Sequence, residues 1–297
     1  MHRDQLTVSL EAVRTLISSQ FPEWADEPIT PVAGSGTVNA IFRIGACFGA
    51  RFPLRAGDPG EVEVWLRAEA DATAELARVA PVPVPSVVAI GAPGAGYPLP
   101  WSVQTWLSGE VATPSGLAAS DHFARDLAAL LRALRTAPTE GRRFSSGGRG
   151  GDLTGQDEWM EICFRESQAL LDVGRIRSLW ARLRTLPSAG ADVMSHGDLI
   201  PANLLVDGAR LVGLLDGGGF APADPALDLV AGWHLLDADA RAIFRAALGC
   251  DALEWGRGAA WALAQAMGLV WYYRETNPTM AELGRSTLTR LLAAPEL

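Results

Sequence analysis

The spacing of apolar residues changes along the chain. Residues 7–20 have apolar positions at helical spacing. Short apolar or alternating segments follow between glycine-rich stretches, and they predict a meander of antiparallel strands. The predicted strands are residues 40–44, 62–66, 87–90 and 101–106. A helix rich in Ala and Glu is expected over residues 68–80, where the proline-rich residues 81–86 end it.

Beyond Ser108 and Gly109 the pattern becomes mainly helical. Helical spacing predicts three helices, and the chain is helical again from about residue 226. These three helices cover residues 121–135, 157–172 and 175–185. The Gly/Ser-rich residues 141–156 predict a mobile loop. One strand pair, 204–206 with 211–215, is expected because Asp207-Gly208 between them is a strong hairpin signal.

This order of elements predicts an α+β fold with two lobes. Residues 1–106 form the β-rich N-terminal lobe, and residues 107–297 form the α-rich C-terminal lobe with one hairpin inside it. A length of 297 residues is enough for two such lobes with a buried core.

Charge and cysteine content narrow the class of protein. The net charge of −9 argues against a nucleic-acid partner, which would require a basic surface. The three cysteines are far apart and fit neither a disulfide framework nor a zinc site. The N-terminus lacks the features of a signal peptide, and the uncharged run 258–273 is too short for a membrane span. We therefore expect a cytoplasmic monomer or dimer with no membrane partner.

The segment MSHGDLIPANLLVDGARLVGLLDGGG, residues 194–219, contains the chemistry. Asp198 and Asn203 precede the first hairpin strand, and Asp216 ends the second strand at the same end of the hairpin. His196 lies beside them. A carboxylate, an amide oxygen and a second carboxylate are therefore expected in one small space.

Such a group suits phosphoryl transfer. Mg²⁺ prefers one or two carboxylates together with phosphate oxygens and water, and Asn203 and Asp216 supply ligands of that kind. Asp198 is then left to accept the proton of a hydroxyl nucleophile. The D-x-x-x-x-N spacing, followed 13 residues later by an aspartate, is the catalytic-loop arrangement of kinases.

Two other interpretations of this segment remain open. The cluster could be a buried polar network beside a turn. The H-x-D pair could also belong to a metal hydrolase, which requires further histidines. The other histidines, His2, His122 and His234, are not near it in sequence.

HGDLIPANLLV followed by LLDGGGFAPADPALDL resembles the aminoglycoside phosphotransferase family, whose fold is similar to that of protein kinases. PVAGSGTVNAIFRIG at 31–45 looks like the nucleotide loop of that family. GARFPLR at 49–55 looks like the strand with its phosphate-binding basic residue, and WSVQTWLSGE at 101–110 looks like its hinge.

The resemblance implies that the protein uses ATP or GTP together with Mg²⁺. It also implies a role for each residue that matches the family pattern. Asp198 is the base, Asn203 and Asp216 bind the metal, and His196 and Asp228 support the loop. The residues expected to bind the nucleotide are Gly34, Ser35 and Gly36 in a flap, Arg51 with its partner Glu69, and the backbone from Gln104 to Trp106.

Two departures from the family pattern bear on activity. All 25 basic residues are arginine, so Arg51 stands where the family has a lysine, and this exchange is not conservative. Asp216-Gly217-Gly218 replaces the Asp-Phe-Gly of protein kinases. A nucleotide-binding pseudokinase is therefore an alternative to an active kinase.

Acidic residues offer the only indication of the acceptor, a small molecule with a hydroxyl group. Six acids and one arginine lie between residues 151 and 172, and we take Asp157 and Glu161 as candidate acceptor contacts. Such a surface would attract a polycation such as an aminoglycoside or basic-peptide antibiotic. Neutral macrolides, choline, homoserine and ketoamine sugars remain alternatives.

Overall fold

The computed structural model describes residues 6–32, 38–145 and 148–297. The chain divides into two compact units. The first comprises Met1–Arg78 and Pro83–Ser108, and the second comprises Val79–Val82 and Gly109–Leu297.

The first unit is built on one antiparallel sheet. Its elements are α1 (Leu10–Gln20), β1 (Ile29–Pro31), β2 (Asn39–Ile44), β3 (Phe48–Pro53), α2 (Pro59–Val79), β4 (Val87–Gly91) and β5 (Trp101–Thr105). The strand order is β1-β2-β3-β5-β4. The strands predicted at residues 40–44, 87–90 and 101–106 are confirmed.

Aromatic packing forms the core of this unit. Phe52 stacks on Trp101 with ring centroids 4.8 Å apart, and both side chains are fully buried. The buried Tyr97 hydroxyl donates to the Pro53 carbonyl at 2.6 Å. Gly91 lies against the same indole, where a Cβ atom would come within 2.2 Å of Trp101. Only a residue without a side chain fits there.

The strand predicted over residues 62–66 is wrong, because these residues lie inside α2. Leu66 is buried while Val64 is 69% exposed, so one side of a helix is buried rather than one face of a strand. Asp58 accepts the Glu61 N–H at 3.1 Å and so stabilises the first turn. The apolar run is too short for its periodicity to distinguish the two structures.

The second unit is mainly helical. Its helices are α3 (Asp121–Thr136), α4 (Asp157–Glu166), α5 (Val173–Leu183), α6 (Val230–Leu235), α7 (Ala238–Leu248), α8 (Ala252–Tyr272) and α9 (Pro278–Ala293). Its strands are β6 (Glu110–Val111), β7 (Val193–Ser195), β8 (Leu204–Asp207), β9 (Arg210–Leu214) and β10 (Ala221–Ala223). They form the sheets β6-β8-β9 and β10-β7.

The hairpin and the helix over 121–135 are confirmed. The hairpin turn consists of Gly208 and Ala209, because Asp207 still pairs with Arg210. The helix predicted over 157–172 is shorter and ends at Glu166, where the Ser167 N–H caps the Cys163 carbonyl.

Helix α8 is the buried centre of the second unit. It is apolar on nearly all sides, and small residues allow close neighbours. A Cβ on Gly268 would lie 2.6 Å from the Trp159 indole. No helix within the part of the chain that the structure describes is both long and apolar enough to cross a membrane.

The described residues of the Gly/Ser-rich segment 141–156 are tied to the second unit. Phe144 donates its N–H to Asp192 at 2.8 Å, and the Gly150 carbonyl accepts from the Asp224 N–H at 2.7 Å. The side chain of Leu153, in a 3-10 helix, is fully buried. These contacts anchor both sides of Arg149.

Candidate active site

A buried carboxylate shapes the loop that follows β7. Asp228 lies in a 3-10 helix just before α6 and is 5% exposed. Its two oxygens accept the N–H groups of His196 at 2.8 Å and Gly197 at 2.9 Å. Gly197 has φ +80°, a backbone conformation that suits glycine. The loop is therefore held just before Asp198.

The His196 imidazole connects this loop to the end of β9. The Asp198 N–H points at its Nδ1 at 3.3 Å, and its Nε2 lies 2.9 Å from the Leu215 carbonyl. Because Nδ1 accepts a hydrogen bond there, the ring proton is on Nε2, which donates a hydrogen bond to the Leu215 carbonyl. The ring is buried, and its two hydrogen bonds connect the backbone at Asp198 to the backbone at Leu215.

Three donors hold the Asp198 carboxylate. Arg149 at 3.0 Å and Gln265 at 2.9 Å donate to Oδ1. The Asn203 amide lies 3.3 Å from Oδ2 and donates to the Asp198 carbonyl at 2.8 Å. The side chain is still 40% exposed, so a fixed carboxylate faces solvent. That is what a base for an incoming hydroxyl requires.

The base of the hairpin brings Asn203 next to the segment with Asp216. The Leu215 N–H donates to the Asn203 carbonyl at 2.8 Å, and Asp216 follows directly. Asp216 was expected at the end of the strand, but it lies two residues beyond Leu214. Its backbone is left-handed, with φ 58° and ψ 44°. This conformation costs a non-glycine residue about 1–2 kcal/mol and is frequent at functional sites.

The donor chemistry of Asn203 and Asp216 fits Mg²⁺. The Asn203 Nδ2 group makes that side chain's hydrogen bonds, which leaves its amide oxygen for a hard cation. Among the described residues, no group of three or more His, Cys, Asp or Glu side chains could hold a metal ion. Two oxygen donors match an ion that also takes phosphate oxygens and water as ligands.

The residues predicted to bind the nucleotide belong to the first unit. Arg51 lies in β3 between Ile41 and Ser102 on the neighbouring strands, and Glu69 lies in α2. Gln104 pairs with Gly49 in the sheet. Gly34, Ser35 and Gly36 lie outside the described residues.

Trp106 ends the segment whose backbone is predicted to contact the purine, and its backbone N–H already has a partner within the first unit. It donates to the Cys47 carbonyl at 2.7 Å. The Arg43 guanidinium lies 5.0 Å from the centre of the Trp106 ring, within range of a cation–π contact. A purine contact from this residue therefore requires its carbonyl or a rearrangement of this turn.

The two predicted acceptor contacts form ion pairs with arginines in α5 and directly after it. Asp157 accepts from Arg184 and, at 3.1 Å, from the Trp180 indole. The Arg184 hydrogen bond holds the pKa of Asp157 below its usual value. Glu161 accepts from Arg177 at 3.0 Å. Arginines therefore compensate both charges.

Two residues that contact Asp198 were absent from the prediction. Gln265 could have been noticed, because it is the polar residue that interrupts the apolar run 258–273. Arg149 stands in a Gly-rich segment, and nothing in the local pattern separates it from the other arginines. Only tertiary folding brings either residue to the loop.

The class of protein follows from this geometry. A carboxylate and an amide five residues apart, then an aspartate after a hairpin, lie in a helical unit that follows a strand-rich one. This is a protein-kinase-like phosphotransferase fold.

The chain belongs to the phosphotransferase enzyme family APH, whose family model matches residues 29–263. The resemblance to aminoglycoside phosphotransferases is thereby confirmed. A search of the curated proteins found no match.

Solved structures share this fold. The GDP and kanamycin complex of an APH(2″) enzyme is 20% identical, with a TM-score of 0.70, and covers 96% of this chain and 99% of that one. Macrolide 2′-phosphotransferase type I is 18% identical, with a TM-score of 0.64 and coverages of 95% and 99%. Macrolide 2′-phosphotransferase MphH from Brachybacterium faecium is 19% identical, with a TM-score of 0.59, and the match covers 94% of this chain and 97% of that one. Identities this low establish the fold alone.

Proposed function

We propose that this protein transfers the γ-phosphoryl group of ATP or GTP to a hydroxyl group of a small molecule. Asp198 is the general base. The observation that supports this most directly is the Asp198 carboxylate itself, which three neighbouring side chains hold while it is 40% exposed. Family membership supports the same reaction class.

The residues of the second unit divide the work. Asp198 accepts the hydroxyl proton and aims the oxygen at the phosphorus. Asn203 and Asp216 would hold Mg²⁺, which would neutralise charge on the phosphates. His196 and Asp228 keep the loop in the conformation that presents Asp198. In phosphoryl transfer such positioning supplies most of the catalysis.

The first unit, residues 1–106 in the predicted division, binds the nucleotide. Arg51 takes the place of the missing lysine on the phosphates and pairs with Glu69. The flap Gly34–Ser35–Gly36 supplies backbone N–H groups, and the segment from Gln104 to Trp106 contacts the purine. Residues 107–297 bind the acceptor.

An aminoglycoside-type or other cationic antibiotic is the first candidate acceptor. The net charge of −9 and the kanamycin complex of a protein with this fold support it. A macrolide is the second candidate, because Asp157 and Glu161 are ion-paired and Trp159 is 37% exposed beside α8. An aromatic surface suits a bulky, largely apolar acceptor.

A coupled nucleotide-turnover assay tests the proposal. ATP and GTP with MgCl₂ are each offered with kanamycin, gentamicin, a macrolide, a tuberactinomycin-type peptide, choline and homoserine. We expect one acceptor class to stimulate turnover and Asp198→Ala to reduce kcat by about 100-fold or more, since general bases contribute 10²–10⁴-fold. Asp207→Ala, an exposed aspartate at the other end of the same hairpin, is the matched control and should retain full turnover.

Two results would count against an active kinase. Equal turnover by Asp198→Ala and the wild type would remove Asp198 from the reaction. Nucleotide binding without turnover on any of these acceptors would favour the pseudokinase alternative.

A further inference from the structure

A chain of hydrogen bonds runs from the interior of the second unit to Asp198. Thr287 on α9 lies 2.8 Å from Nδ1 of His234 on α6. Nε2 of His234 lies 3.0 Å from Oε1 of Gln265 on α8, and Gln265 Nε2 lies 2.9 Å from Oδ1 of Asp198. Both Thr287 and His234 are fully buried. Residues of α9, α6 and α8 are therefore linked in series, and the last of them, Gln265, contacts the Asp198 carboxylate.

The donors and acceptors in this chain have a single consistent order. Asp198 can only accept when ionised, so the Gln265 NH₂ group faces it and the Gln265 carbonyl oxygen faces His234. That oxygen can only accept a hydrogen bond, so Nε2 of His234 must be the donor and must have the ring proton. Nδ1 is then an acceptor, and the Thr287 hydroxyl donates to it.

The buried imidazole is neutral at ordinary pH. The pKa of His234 is lowered from 6.5 to about 4, mainly by burial. The nearby charges of Arg149 and Arg290 act in the same direction, and Gln265 and Asp198 partly oppose them. A neutral ring has one proton, which the order above places on Nε2. The Thr287 hydroxyl also lies 2.8 Å from the Leu283 carbonyl, but its single proton is needed at Nδ1.

We propose that Gln265, oriented by His234 and Thr287, is a positioning residue that fixes the rotation of the Asp198 carboxylate. This role rests on the proposed function, in which Asp198 is the base. Gln265 and Arg149 both donate to Oδ1, whereas Oδ2 has only the longer 3.3 Å contact from Asn203. Oδ2 is therefore the oxygen presented to the acceptor hydroxyl. Gln265 brings no charge, so it orients the carboxylate without adding a second cation to that of Arg149.

Steady-state kinetics of Gln265→Met test this role. The variant keeps the length of the side chain and removes both hydrogen bonds. We expect kcat to fall about 10- to 100-fold, as for other residues that orient a catalytic group, while KM for nucleotide and acceptor changes less than about twofold. Gln20→Met is the matched control, because Gln20 makes two amide hydrogen bonds with Ala92 in the first unit and should keep its kcat.

A double mutant separates positioning from general damage. In an Asp198→Asn background, Gln265→Met should have little further effect on kcat, because the group that it orients is already lost. A full additional loss there, or an unchanged kcat in the single mutant, would overturn the proposal.

Histidine NMR provides a readout that does not depend on activity. The chain contains four histidines, so a protein labelled with ¹⁵N-histidine gives few signals. We expect His234 in the neutral Nε2–H tautomer with a slowly exchanging ring proton, and we expect that signal to move in Gln265→Met. A neutral Nδ1–H tautomer would reverse the donors and acceptors in the series of hydrogen bonds from Thr287 to Asp198, and would overturn the proposal.

The two proposals fail in different ways. A wild type without turnover on any acceptor contradicts the proposed function, and the tautomer of His234 still supports or overturns the hydrogen-bond chain. An active wild type with an unaffected Gln265→Met variant contradicts only the positioning role.

Discussion

Replacing Asp228 by asparagine should uncouple the loop with Asp198 from the core. The carboxylate accepts two consecutive backbone N–H groups, those of His196 at 2.8 Å and Gly197 at 2.9 Å. An asparagine has one oxygen, so its NH₂ group must face one of these two donors. The variant keeps the size of the side chain but removes its charge and one of its two acceptor oxygens.

The size of the effect follows from the contacts. A hydrogen bond to a charged group contributes about 1.5–3 kcal/mol, and a buried donor left without an acceptor costs about 1–3 kcal/mol. Asp228 is 5% exposed, so water cannot replace the lost oxygen. We expect Asp228→Asn to lower the free energy of unfolding by about 2–4 kcal/mol.

Urea denaturation followed by tryptophan fluorescence measures this loss. Asp192→Asn is the matched control, because Asp192 accepts one backbone N–H, that of Phe144 at 2.8 Å, and asparagine keeps one acceptor. Its loss should stay below about 1 kcal/mol, that of a single hydrogen bond. Equal losses in the two variants would refute the argument that paired acceptance by Asp228 holds the loop.

Two further predictions concern the core and the pH dependence of stability. Gly91→Ala should destabilise the protein by about 1–3 kcal/mol, because the added methyl group overpacks against Trp101. Gly155→Ala is the control, because a Cβ atom there meets no atom within 4 Å and should leave stability unchanged. Thermal melting of the two variants measures the difference. Because the pKa of His234 is lowered by burial, the unfolded state binds its proton more readily, and stability is lost as pH falls from about 6.5 towards about 4. Denaturant titrations at pH 7.5 and 5 should show a loss of about 2 kcal/mol in the wild type that is absent in His234→Gln, and equal losses in both would contradict the assignment.

Part of the candidate site could be predicted from the sequence, because its residues are close together along the chain. The loop with Asp198 and its hairpin fit within 194–219, and the backbone bond from Leu215 to Asn203 continues the hairpin pairing beyond the register shift between Leu205 and Val206. Helix α3 and strands β2, β4 and β5 likewise show their own periodicity. Gln265, the polar residue in the apolar run 258–273, could have been noticed in the same way, although its partner could not.

Tertiary structure decided what depends on distant contacts. Residues 62–66 were placed in a helix because packing on Leu66 outweighs a short apolar run that suits either structure. Arg149 and Gln265 reach Asp198 across 49 and 67 residues, and His234 joins them only because α6, α8 and α9 pack together. The local sequence determined which candidate groups lie together in one loop and hairpin. The packing of helices far apart in the chain determined how the Asp198 carboxylate is held, since side-chain orientation depends on neighbours that no local pattern contains.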